Sequence, residues 1–158
     1  MPHQLTPDDV NHLDHAIDLA AESRARGNHP FGAVLVADGV VVEGWNTVLT
    51  ENDPTGHAET NLVRRASARL APAQLRSSTL YTSTEPCAMC AGAIYWAGVP
   101  RIVFALAESA LAEFTVGSDE PTLALPCREV FARGGRVIEV IGPIASERAA
   151  EVHAGFWS

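Results

Sequence analysis

Two short stretches hold residues able to do chemistry together. "TGHAE" places His57 two residues before Glu59, and "TEPCAMC" places Cys87 and Cys90 three apart behind Pro86. Alone, a C-x-x-C pair fits a redox couple, half of a metal site, or two small side chains in a core. A lone His-x-Glu reads as a solvated helix start. Together they describe something narrower. Zinc accepts one imidazole and two thiolates, and in catalytic sites it keeps a fourth position for water. Cysteines at i and i+3 share a helix face, so both sulfurs reach one ion. In a helix's first turn, unsatisfied N–H groups and the positive end of the dipole favour thiolate over thiol.

His57 is expected in the equivalent first-turn position of another helix, so that two helix starts converge on one metal. Glu59 then lies roughly 200° round the helix from His57, beside the metal rather than on it. A carboxylate there takes a proton from zinc-activated water, whose pKa the metal brings to about 7. The pattern points to an open zinc centre with His57, Cys87 and Cys90 as ligands and Glu59 as proton carrier. A closed structural zinc needs a fourth Cys or His. Cys127 stands alone in an irregular stretch and reads as a buried small apolar residue.

The elements that must position these residues follow from pattern. Thr6-Pro7-Asp8-Asp9 opens a helix with a hydroxyl cap, a proline and two acids, and Val10, Leu13, Ile17 and Ala20 continue it at helical period. "FGAVLVA" and "VVVEGWN" flank Asp38-Gly39, a strong hairpin signal. "HAETNLVRRASARLA" reads as a helix, "STLYTS" as a strand, "PCAMCAGAIYWAG" as a helix and "RIVFAL" as a strand. Then come a short helix to Phe114, a loop rich in Gly, Ser, Asp and Pro, a helix around Arg128 and a late strand "RVIEVI". Strands alternating with helices after a hairpin give an α/β domain with a mixed sheet.

The bulk numbers narrow the partners. At 158 residues, 47% hydrophobic and 19% charged, the chain is expected to form one domain over 1–158. Residues 145–158 are expected to form a terminal helix and a candidate lid over the site. Eleven Lys plus Arg against 19 Asp plus Glu leave a net charge of −8, which argues against nucleic acid as the substrate. An odd count of three cysteines argues against a disulfide framework. With no leader pattern in the first thirty residues and no long apolar run, the expectation is a cytoplasmic protein without a membrane partner.

"PFGAVLV", "NDPTGHAE", "LYTSTEPCAMC" and "GAIYWA" carry a further inference. H-x-E followed by P-C-x-x-C is the signature of the zinc nucleobase deaminases. From about Leu5 to Val140 the sequence resembles the cytidine deaminase superfamily, and within it the bacterial guanine deaminases. The resemblance implies a three-layer α/β/α sandwich with a mixed five-stranded sheet, one Zn2+ per chain and hydrolytic loss of ammonia from a free amino-heterocycle. Guanine to xanthine is the leading expectation. Cytosine, a triazine such as ammeline, or a nucleoside is the alternative.

By the same resemblance, Asn46 hydrogen-bonds the bound base and Phe31 lies beside it. His29 and Trp96 are candidates to line the pocket, although Trp96 fits helix–sheet packing as well. A second acid aids proton movement in guanine deaminases, and Asp119 or Glu120 occupies that stretch, with Glu113 third. Those enzymes form homodimers that exchange C-terminal segments, so His153, Phe156 and Trp157 are expected to pack over a site. Two further readings compete. A tRNA adenosine deaminase is disfavoured by the missing lysines and acidic charge. A non-catalytic zinc-fold binding domain has no need of Glu59.

Overall fold

The chain forms one mixed sheet with helices on both faces in the computed structural model, which describes residues 5–157. Five strands, β1 (Gly32–Ala37), β2 (Val40–Trp45), β3 (Thr79–Thr84), β4 (Arg101–Leu106) and β5 (Glu139–Ile141), pair in the order β2-β1-β3-β4-β5. β1 runs antiparallel to β2 and β3, whereas β3, β4 and β5 are mutually parallel. Asp38 and Gly39 both take positive φ, 49° and 76°, as the two-residue hairpin turn between β1 and β2 requires.

Side chains alternate across the two faces, as the strand period of two dictates. On one face α1 (Pro7–Ala25) and α7 (Glu147–Glu151) bury Leu13, Ile17 and Ala149 against Val34, Tyr81 and Val103. On the other, α2 (Ala58–Arg69), α4 (Ala88–Ala97) and α6 (Cys127–Ala132) bury Leu62, Ile94 and Phe131 against Leu35, Leu80 and Phe104. The three-layer α/β/α arrangement matches the expected one. Two short helices complete it, α3 (Pro72–Leu75), which the sequence did not announce, and α5 (Glu108–Thr115). The late strand shrinks to three residues, and the terminal helix ends at Glu151 rather than reaching Phe156. Ser158, the last residue of the expected lid segment, lies outside the described residues.

Two contacts set the position of the helices over the sheet. Asp9 is buried, completes a capping box with Thr6, and accepts the Tyr81 hydroxyl at 2.6 Å and two Arg101 N–H groups at 2.9 and 3.0 Å. These bonds, Arg101 foremost, hold its carboxyl well below the usual range and tie the start of α1 to β3 and β4. On the opposite face, a Cβ at Gly44 would lie 2.6 Å from both the Ala58 carbonyl oxygen and the Leu62 Cβ. Only glycine lets β2 approach α2 this closely, and that approach seats the N-terminus of α2. Among the described residues, no helix is long and apolar enough to cross a membrane.

Candidate active site and metal centre

The sheet topology gathers the chemistry at one end. Because β1 is antiparallel to β2 and β3, its start lies beside their ends. Phe31 before β1, Asn46 after β2, Thr84 and Glu85 at the end of β3 and Glu108 after β4 therefore face one cavity of about 560 Å³. His57, Glu59 and Cys87 line it as well.

His57 and Cys87 are N-cap residues with extended backbone, not first-turn residues. This changes the reason for their convergence. Cys87 at the N-cap and Cys90 in the first turn both belong to the start of α4, and their sulfurs fall within reach of one ion. The helical angle between His57 and Glu59 has no meaning, since His57 is off the helix. The His57 Nδ1 stands 3.5 Å from the Cys87 sulfur and 3.6 Å from the Cys90 sulfur. All three donor atoms lie within 4.8 Å of one another. For N and S ligands at ordinary zinc bond lengths, a tetrahedron has an N···S edge of about 3.6 Å. The donor set and its spacing both fit zinc. Among the described residues no other group of three or more such side chains gathers in this way. Cys127 sits buried in the core outside the donor group, its thiol pushed up to about 12 by burial.

The local electrostatics favour a charged donor. The Cys87 thiol is pulled down to about 4, chiefly by a hydrogen bond from Cys90 and further by His57, against the cost of its burial. His57 is raised, first by its hydrogen bond to Cys87. Glu59 is buried, its carboxyl raised by that burial, and its Oε1 accepts the Thr82 hydroxyl at 2.5 Å.

Several of the sequence-nominated residues meet in the cavity. Asn46, His29, Phe31, Glu120 and Trp157 all line it. The Asn46 Oδ1 accepts the Val48 N–H at 3.0 Å, so this residue also shapes its turn, while its Nδ2 has no partner among the described residues. The His29 Nε2 lies 3.8 Å from a Glu120 carboxylate oxygen across the cavity, and its imidazole is held toward the neutral form, first by burial. Asp119 and Glu113 do not line the cavity.

From the C-terminal segment, Trp157 reaches the cavity wall. Trp157 packs on His29 at 5.1 Å and on Phe31 at 6.0 Å between ring centroids. His153 lies buried against Phe31, Phe114 and Trp157, accepting the Trp157 indole N–H at 3.1 Å. Phe156 stays outside the cavity wall, between His29 and the Arg24 guanidinium. Trp96 neither lines the cavity nor packs on the sheet. It is 79% exposed, because the buried face of α4 is Cys90, Ala91 and Ile94.

Other supporting residues gave no motif. Glu85 accepts the Glu108 N–H at 3.1 Å through Oε1 and the Cys127 N–H at 2.9 Å through Oε2, capping α5 and α6 at once. Asn28 accepts from the Leu49 and Thr50 N–H groups, and Asn61 donates to the Trp45 carbonyl and Thr47 hydroxyl, so both hold the loop after β2. Arg24 donates to the Val152 and Ala154 carbonyls at 2.8 and 2.7 Å, clasping the C-terminal segment. Glu108 is a further cavity acid, pushed up to about 7, mainly by burial and then by the charge of Cys87.

Comparison with known proteins agrees with this geometry. Residues 6–106 match the cytidine and deoxycytidylate deaminase zinc-binding region. A probable cytosine deaminase from Schizosaccharomyces pombe is 39% identical over 157 residues, 98% of this chain and 95% of its own. A guanine deaminase from Bacillus subtilis is 51% identical over 104 residues, 63% of this chain and 66% of its own. Among solved structures, a guanine deaminase from Nitrosomonas europaea superposes with a TM-score of 0.76 at 25% identity, covering 97% of this chain and 86% of that one. The chain therefore belongs to the cytidine and deoxycytidylate deaminase family, as a zinc-dependent hydrolytic deaminase of the nucleobase and nucleoside class.

Proposed function

We propose that the protein deaminates a free amino-heterocycle, with guanine as substrate and xanthine and ammonia as products. His57, Cys87 and Cys90 would hold a zinc ion, which when bound would make a water acidic enough to react near neutral pH. Glu59, on the wall of the same cavity, takes up the proton that the attacking water gives up as it adds to the amino-bearing ring carbon, and delivers it to the adjacent ring nitrogen. A second proton passes through Glu59 to the amino nitrogen, the C–N bond breaks, and ammonia leaves as the carbonyl forms. Asn46 donates its unpartnered amide N–H to the base, and Phe31 packs beside the ring. The protein acts as a single domain over residues 1–158, on a small molecule rather than on nucleic acid.

One observation carries the choice of guanine. Besides Glu59, Glu85 and Glu108, the cavity contains Glu120 beside His29 on its far side, an acid placed to meet a second edge of a fused ring. Cytosine is the second reading, favoured by the near full-length relationship to a probable cytosine deaminase. Ammonia release should be measured on guanine, cytosine, ammeline, guanosine, cytidine and adenine, with zinc content alongside. Guanine is expected to give the highest kcat/KM. A preference for cytosine would move the substrate assignment, and zinc-loaded protein inert on every base would overturn the mechanism.

A further inference from the structure

Thr82 lies at the centre of the sheet, on β3, paired with Ala33 of β1 and Phe104 of β4. It is fully buried, and its hydroxyl is the 2.5 Å partner of the Glu59 Oε1. Its sequence context, a threonine in "LYTST", signals only strand propensity. The contact matters because glutamate is long and flexible, whereas proton transfer needs the carboxylate held within hydrogen-bond reach of its target. α2 fixes only the backbone of Glu59. Thr82 holds one carboxylate oxygen and Cys90 also bonds the group, so the orientations open to it on the cavity wall are few.

The pin stands on the most constrained part of the molecule. A paired interior strand cannot shift without breaking two ladders, and the β-branched side chain has few rotamers. The Thr84 carbonyl lies 2.9 Å from the same hydroxyl. The hydroxyl has one hydrogen and two lone pairs, so it donates to Glu59 when that carboxyl is ionised, and accepts from it while donating to Thr84 when it is protonated. Either way the two oxygens stay in contact.

We infer that Thr82 is a positioning residue for the reaction, its hydroxyl holding the Glu59 carboxylate in the orientation that carries protons. The inference rests on the proton-carrying role given to Glu59 above. Its test is a set of zinc-loaded full-length variants, Thr82→Val, Thr82→Ser and Glu59→Gln, assayed on whichever base of the panel the wild-type protein deaminates fastest.

Thr82→Val keeps the shape and removes the hydroxyl. Its kcat is expected to fall about tenfold, with KM within about twofold and zinc content unchanged. Thr82→Ser is expected to stay within about twofold of wild type in both constants. Crystals of metal-free Thr82→Val protein should show the Glu59 carboxylate displaced from its wild-type position, a readout independent of turnover. If Thr82→Val does not fold, Thr82→Cys, with a weak S–H donor, is expected to give a kcat below that of Thr82→Ser at unchanged KM.

Wild-type kcat in Thr82→Val with Glu59 undisturbed would overturn the inference. So would an equal loss in Thr82→Ser, which would assign the effect to the methyl group, or loss of zinc in Thr82→Val. Full turnover by Glu59→Gln would instead remove the reading on which the inference rests.

Discussion

The floor of the site and its rim are built on different physical terms. The floor is His57, Glu59, Cys87 and Cys90, carried on the starts of two helices packed against the central strands. Its positions are set by Gly44, by Thr82 and by strand ladders, none of which can yield without disturbing the core. The rim is Glu120 on a loop and Trp157 on a segment held by Arg24 and His153. The difference teaches where each task sits. Chemistry that needs atoms fixed to a fraction of an ångström stands on the rigid end of the sheet, and the proposal leaves choice of base to elements that can change without moving it.

The largest expected effect comes from breaking the floor. Cys87→Ser should lose zinc and lower turnover by more than about a thousandfold, read by metal analysis beside ammonia release. If the variant bound zinc and turned over normally, floor and rim would not differ in the way described.

The next effect concerns how the rim is fastened. Burial lowers the His153 pKa from 6.5 to about 4, with a smaller contribution from Arg24. The unfolded chain therefore takes up a proton at higher pH than the folded one. The stability His153 contributes is present above about pH 6.5 and is lost as pH falls toward 4, by up to about 3 kcal/mol. Denaturant titration of wild type and of His153→Gln across that window should show the gap between them closing in acid. A constant gap would mean that His153 does not titrate as the fold requires.

Two smaller effects sharpen the contrast. Glu120→Gln should lower kcat/KM for guanine about tenfold and for cytosine far less, at constant zinc content. Equal losses on both bases would take base choice away from Glu120. Trp157→Ala should raise KM about threefold to fivefold while leaving kcat close to wild type, since it removes a wall and not a proton carrier. A fall in kcat alone would place Trp157 with the floor.

Much of this contrast is legible in the sequence itself. The Asp38-Gly39 turn, the alternation of β-branched residues and the apolar spacing of α1 gave the layers, because each signal is local. The metal donors were readable because their chemistry demands particular residue types. Their geometry is less legible, since His57 and Cys87 stand at the N-cap positions, outside the first helical turn. What escaped were contacts between ordinary residues far apart in the chain. Glu85 caps a helix 42 residues away, and Thr82 meets Glu59 across 23. Neither pairing has a sequence period to betray it. The rim was the least legible part. Asp119 and Glu120 are neighbours of the same chemistry in an irregular loop, and only the fold brings one of them to the cavity.

The central claim is that the floor does chemistry through a carboxylate that is not itself a zinc ligand. Glu59→Gln tests it most directly, by metal content and kcat on the same preparation. One zinc per chain, an intact fold and a kcat lowered by about 10²- to 10⁴-fold are expected. A zinc-loaded Glu59→Gln protein turning over at the wild-type rate would contradict it.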